Sequence, residues 1–400
     1  MGSQLNSAAL ERTASSRLGS LDAYRGFVMI CLAANGFGIA ATAKNFPDSP
    51  VWQALKYQFD HVPWVGCAFW DLIQPSFMFM VGVSLPYSYA RRLEHGDSYL
   101  RLFGHALVRS VVLVLLGIFL SSSEKMTNFT FMNVLSQIGL GYTLLFLLWN
   151  CGRVVQMSVA AGILVAYWAL FAFTPLPGAD FDFAKVGVAS DWPILSGFEA
   201  HWQKCGNIAA TFDLWFLNLF PRPDEFIANK GGYQTLNFVP SLVTMVFGLM
   251  AGEWIRESKD RRRTLGGLVI SGAVLFVVGV ALGWLGVCPL VKRIWTPSWT
   301  LYSTGLTLLM LSGFYAVIDV AGLKRWAFPL TVAGMNSIAL YVMSQLLRNW
   351  TADSLQRHFG QNLFQICGAS YEPLLKANLV LLAFWLFVWW LHRQRIFFRI

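Results

Sequence analysis

The chain has 400 residues, of which 56% are hydrophobic and only 13% charged. Soluble domains carry about 25% charged residues, so one or two soluble domains are excluded and an all-α polytopic membrane protein is expected, with the lipid bilayer as its medium. The net charge of +9 is no nucleic-acid footprint, because basic residues of membrane proteins gather in cytoplasmic loops.

Residues 1–20, MGSQLNSAALERTASSRLGS, have no apolar core behind their charges. They read as a cytoplasmic tail and not as a cleaved signal peptide. Apolar runs of about 20 residues then predict ten transmembrane helices within a domain over 21–400. They fall near 23–43, 70–90, 102–122, 131–150, 155–174, 237–256, 264–286, 298–319, 327–347 and 373–392. An even number puts both termini on one side. Seventeen of the 30 Lys and Arg lie in the tails and in the loops after even-numbered helices, including Arg12, Arg17, the run RESKDRRR (256–263) and Arg399. Both termini are therefore expected in the cytoplasm.

The outer face then holds the 44–70 loop, the 287–297 loop, the 348–372 loop and a long loop at 175–236 between helices 5 and 6. A loop of that length is usually functional or disordered. Its stretch FEAHWQKCGNIAATFDLWFLNLFP (198–221) has apolar residues at helical spacing, so it reads as an ordered cap. Cys67, Cys205, Cys288 and Cys367 also fall outside, where an oxidising compartment would allow a disulfide. No metal-ligand spacing is present.

The residues suited to chemistry cluster in FDHVPWVGCAFWDLIQPSFMFMVGVSLPY (59–87). His61 stands at a helix entrance beside Trp64 and Trp70, with Asp71 ten residues on in the first turn. A carboxylate there caps a helix start. It also orients an imidazole for general-base work. Asn35, in LAANGFGIAA, sits inside an apolar helix and either ties it to a neighbour or donates to an oxyanion. Ser20 or Asp22 caps the first helix, with Arg25 near enough to pair with Asp22 or to hold a phosphate. Arg109 snorkels or binds an anionic group. His201, Asn207 and Asp213 read either as polar residues of a surface helix or as acceptor contacts.

The segments RLGSLDAYRG, ANG and HVPWVGCAFWDLIQPSFMFMVG together resemble the heparan-α-glucosaminide N-acetyltransferase family of transmembrane acetyltransferases. His61, Trp64, Gly66, Asp71 and Pro75 keep the family's register. TLNFVPSLVTMVFGLMAGE (235–253), PLVKRIWTPSWTLYSTG (289–305), AGMNSIALYV (333–342) and RQRIFFRI (393–400) extend the likeness over about 17–400. The acyltransferase-3 family is a more distant likeness; it carries a histidine within its first helix, where this chain has Asn35.

The resemblance implies that acetyl-CoA binds from the cytoplasmic side as acyl donor, and that its acetyl group passes to a sugar or other glycan acceptor outside. It implies His61 as general base or acetyl carrier, Asp71 as its support and Asn35 as an acetyl contact. It further implies donor contacts at Arg25, Arg109, Asn336 and Ser337, and acceptor contacts at Trp64, Lys292 and His201. A homodimer stays open, and a bacterial inner membrane is the expected location. The competing class is a transporter or flippase of a glycan or lipid precursor, with His61 and Asp71 as a proton-coupling pair.

Overall fold

The computed structural model describes residues 18–122, 125–178 and 180–398. Most of the tail, with Arg12 and Arg17, lies outside the described residues, as does Arg399. No strand occurs among the described residues apart from an isolated bridge between Val65 and Val291. Fifteen α-helices are described: α1 (Gly19–Ala33), α2 (Ile39–Ala43), α3 (Pro50–Phe59), α4 (Ile73–Glu94), α5 (Tyr99–Ser121), α6 (Val134–Leu148), α7 (Arg153–Ala172), α8 (Ile208–Leu217), α9 (Phe238–Glu257), α10 (Arg261–Trp284), α11 (Pro297–Tyr315), α12 (Phe328–Met335), α13 (Ser337–Leu346), α14 (Arg348–Phe359) and α15 (Glu372–Arg393).

Among the described residues six helices are long and apolar enough to cross a membrane: α5, α7, α9, α10, α11 and α15, with α9, α11 and α15 each extended by a short flanking turn. Two bent pairs, α1 with α2 and α12 with α13, raise the number to eight. This is an integral membrane protein. The other two predicted spans are helical but differ in kind. Helix α4 has 22 residues but contains Pro86 and ends on Arg91, Arg92 and Glu94, and α6 has only 15 residues. The expected count of ten therefore exceeds what length and composition of the helices establish.

The first predicted span is not one helix. Asn35, Gly36, Phe37 and Gly38 all have φ between 49° and 71°, a left-handed run that no α-helix continues through. The two halves meet at 50°. The ninth predicted span breaks likewise at Asn336, with a bend of 66°. The capping expected of Ser20 and Asp22 is absent, since α1 starts at Gly19 with no side-chain cap. Asp22 does pair with Arg25, at 3.6 Å.

Helices close on each other through glycine. A side chain at Gly26 in α1 would overlap the Leu330 carbonyl of α12, and one at Gly334 would overlap the carbonyl of Asp22. Gly82 of α4 and Gly248 of α9 meet each other's helix in the same way. Within a membrane, such close approach of backbones is what drives helix association. On α5, α7 and α10 the outward residues are large and apolar, such as Leu115, Phe119, Val165, Ile270 and Val277. The buried interior of α11 is lined by hydroxyls instead, including Thr300, Ser303, Thr304 and Thr307.

Candidate active site

Three segments far apart in sequence converge on His61. The first is the irregular stretch after α3, residues 60–68. The second is a short 3₁₀ turn, Phe69–Leu72, that leads into α4. The third is the loop between α10 and α11, which joins the first through the Val65–Val291 bridge and a hydrogen bond from Gly66 N to Leu290 O at 2.9 Å.

This docking carries Lys292 to Asp71. His61 Nδ1 lies 2.7 Å from Asp71 Oδ1, and Lys292 Nζ donates to the same oxygen at 3.2 Å. Asp71 is 1% exposed and the Lys292 side chain 5%, whereas the imidazole keeps 34% of its surface. A buried carboxylate and ammonium persist together because each compensates the other. The imidazole alone faces outward from the cluster.

Asp71 also fixes backbone. Its Oδ2 accepts from Val62 N at 3.3 Å and from Ala68 N at 3.1 Å. One side chain thus steadies the turn before α4 and holds the histidine ring. Because Asp71 Oδ1 is an acceptor at 2.7 Å, the neutral imidazole carries its proton on Nδ1 and presents an unprotonated Nε2. Lys292 Nζ stands 3.2 Å from Nδ1; with Nδ1 protonated this is a neighbour and not a second acceptor.

Arg293, unremarked in the sequence reading, braces the assembly. It donates to the carbonyls of Gly231 and Val62, and its own carbonyl accepts from Asn237 Nδ2 at 2.8 Å. Tyr233 lies beneath both cations, with its ring 6.0 Å from Lys292 Nζ and 5.4 Å from the Arg293 guanidinium. A Lys-Arg doublet in a short loop expected outside the membrane, where basic residues are disfavoured, was the signal available for it.

The other expected residues have the following places. Trp64 is buried under the 175–236 segment, where its indole donates to Trp202 O at 3.0 Å. His201 binds Thr174 O at 3.0 Å and packs on Phe198, within that same segment. Asn35 is an exposed residue at the break after α1, not a buried one inside a helix; the next residue, Gly36, packs on Phe59 and Trp70, and Trp70 in turn faces His61. Arg25 pairs with Asp22. Arg109 lies 4.6 Å over the Tyr142 ring. Asn336 is buried and both ends of its amide bind the backbone of residues 396–398. Ser337 is half-buried at the start of α13. The four expected donor contacts thus have separate neighbours. All six cysteines are unpaired, so the disulfide allowed among Cys67, Cys205, Cys288 and Cys367 is not formed. No metal-binding cluster exists among the described residues.

No family model matches the chain. Two curated proteins do. Heparan-alpha-glucosaminide N-acetyltransferase of Mus musculus is 23% identical over 432 aligned positions, which cover 97% of this chain and 61% of that protein. The Homo sapiens protein of the same name is 25% identical over 429, covering 96% and 60%. The chain therefore spans about three fifths of the length of these relatives.

Proposed function

We propose that this chain, a distant homologue of the heparan-alpha-glucosaminide N-acetyltransferases, is a membrane acetyltransferase in which His61 performs the proton transfer or carries the acetyl group. The observation that supports this most is the buried Asp71–Lys292 pair holding a half-exposed imidazole. Such a carboxylate sets the tautomer and steadies the imidazolium as it forms.

In this reading acetyl-CoA is the donor substrate and an amine on a sugar or glycan is the acceptor. Nε2 of His61 takes a proton from the amine as its nitrogen attacks the thioester carbonyl. The C–S bond breaks, the CoA thiolate leaves, and the proton held by His61 is released to it or to solvent. The products are an N-acetyl group and free CoA. In the carrier variant Nε2 attacks the thioester carbonyl, the C–S bond breaks and the CoA thiolate leaves; the amine then attacks the acetyl-imidazole, which returns free imidazole and takes up the amine proton. Lys292 balances the Asp71 charge throughout, so that the carboxylate stays an acceptor for Nδ1–H. The donor would approach from the Arg25 end of the helices, with Arg109 midway along α5 and His61 at the other end.

The test is sided. The chain is reconstituted in vesicles holding glucosamine, and acetyl-labelled acetyl-CoA is added outside. We expect labelled N-acetylglucosamine to accumulate inside with wild type and not with His61→Ala. Efflux of the enclosed glucosamine on a pH gradient, with no thioester consumed, would replace this reading with proton-coupled transport.

A further inference from the structure

The far end of the bundle carries a group of side chains that the transfer reaction does not use. Helix α15 has 22 residues, about 33 Å at 1.5 Å per residue. It begins on the His61 side, where Tyr371 lies against Phe46 and Trp52 and Asn45 Nδ2 donates to Ser370 O at 2.8 Å. Its last turn, with His392 and Arg393, is therefore at the opposite end.

There the chain turns back on itself. Ile396 N donates to Leu391 O at 2.9 Å and Arg395 N to His392 O at 3.0 Å. This closure leaves Arg395 at φ 58°, a left-handed position that glycine or asparagine usually fills. The segment beyond is pinned by Asn336, whose Nδ2 donates to Ile396 O at 3.1 Å and whose Oδ1 accepts from Phe398 N at 3.2 Å. Between the pinned segment and the helix lies a groove of about 590 Å³, lined by Phe328, Trp389, His392, Arg393, Arg395 and Phe397.

The lining has two guanidiniums, an imidazole and three aromatic rings, and no acid. The Arg393 guanidinium lies 5.4 Å from the Trp389 ring, and neither arginine forms an ion pair among the described residues. The helix face leading to the groove is apolar and open. Leu382, Leu386 and Trp390 recur every four residues and are each 46–50% exposed, and Arg393 follows Trp390 by one more turn. In an integral membrane protein such a stripe lies against acyl chains, with Trp at the headgroup level and the cations beyond it.

From this placement we infer that the groove binds the phosphate of an anionic phospholipid headgroup, with the acyl chains along the Leu382–Trp390 stripe. Basic pockets at this depth are suited to such headgroups, and each cation contributes to the attraction. The guanidiniums bind the phosphate oxygens, and Trp389 and Phe397 wall the glycerol. Asn336 acts indirectly, by holding the wall that carries Phe397.

The test uses the full chain in detergent. Phosphatidylglycerol or phosphatidylcholine is titrated in, and bound lipid is counted by native mass spectrometry beside the unfolding temperature. Phosphatidylglycerol should bind at least about tenfold tighter and stabilise more. The double variant Arg393→Gln/Arg395→Gln should lose that preference while keeping the wild-type elution volume. Asn336→Ala, with both arginines present, should weaken it severalfold. Equal binding of the two lipids, or a preference that survives the double variant, overturns the assignment. Displacement of phosphatidylglycerol by CoA also overturns it, since the groove would then serve the donor's phosphates.

Discussion

The two ends of this molecule use cations in opposite ways. Beside His61, Lys292 is buried with Asp71 at 3.2 Å, and its position is fixed by a loop docked through the Val65–Val291 bridge. At the end of α15, Arg393 and Arg395 are exposed; Arg393 lies near the Trp389 ring, and no acid lines their groove. Charge that must hold a geometry is paired and dried, at a desolvation cost that only mutual attraction offsets. Charge that must receive a ligand is left open.

The comparison fails or gains detail with a graded set of changes. The largest effect is expected from Asp71→Asn. It frees the imidazole to adopt the wrong tautomer and should cost roughly 10²–10⁴-fold in acetyl-transfer rate. It also strands Lys292, which should destabilise the fold by about 3–5 kcal/mol, read as a drop in unfolding temperature. Adding Lys292→Met should restore most of that stability and none of the activity. If the double variant is no more stable than Asp71→Asn alone, the two side chains are not a compensating pair.

A middle effect concerns the 175–236 segment, where Asp213 is fully buried and its Oδ2 accepts from Thr235 N at 2.9 Å. Burial pushes this carboxyl up to about 6, against the opposing pull of the Thr235 bonds and of Arg222. The folded state then holds the proton more tightly than the unfolded chain, whose Asp titrates near 3.9. The sign follows: the contribution of Asp213 to stability is fully present below pH 4, falls between pH 4 and 6, and is gone above 6, by about 3 kcal/mol in all. Asp213→Asn should flatten that slope in unfolding temperature against pH. A slope that persists would place the titration elsewhere.

The smallest effect should come from His201→Ala. It removes one hydrogen bond, to Thr174 O, worth about 1 kcal/mol. Unfolding temperature should fall slightly, with the transfer rate unchanged. A large loss of rate would bring His201 into contact with the acceptor and redraw the site.

Legibility in the sequence followed the distance over which a residue acts. His61 and Asp71 are ten residues apart, so an imidazole, a carboxylate and a helix start could be read together. Lys292 acts on Asp71 from 221 residues away. The motif likeness made it a candidate, but its partner is set by how the 287–297 loop docks, which no local pattern encodes. Asn35 was misplaced because the hydrophobic run around it continues on both sides. Hydropathy does not register the left-handed turn that Asn35, Gly36, Phe37 and Gly38 make. Asn336 was named only as a donor contact; its hydrogen bonds to backbone atoms of residues 396–398 are set by tertiary packing, which sequence spacing cannot announce. The helices themselves were legible in place, because long apolar runs specify helix in lipid. Their number was less so, since α4 is charged at one end and α6 is short.

The decisive measurement is release of free CoA from acetyl-CoA by purified protein with an amino-sugar acceptor, for wild type, His61→Ala and Asp71→Asn, alongside CoA binding. The proposed function predicts release by wild type, loss of release in both variants and retention of CoA binding in both. Release at the wild-type rate by His61→Ala, or no binding of CoA by any of the three, would contradict an acetyltransferase built on His61.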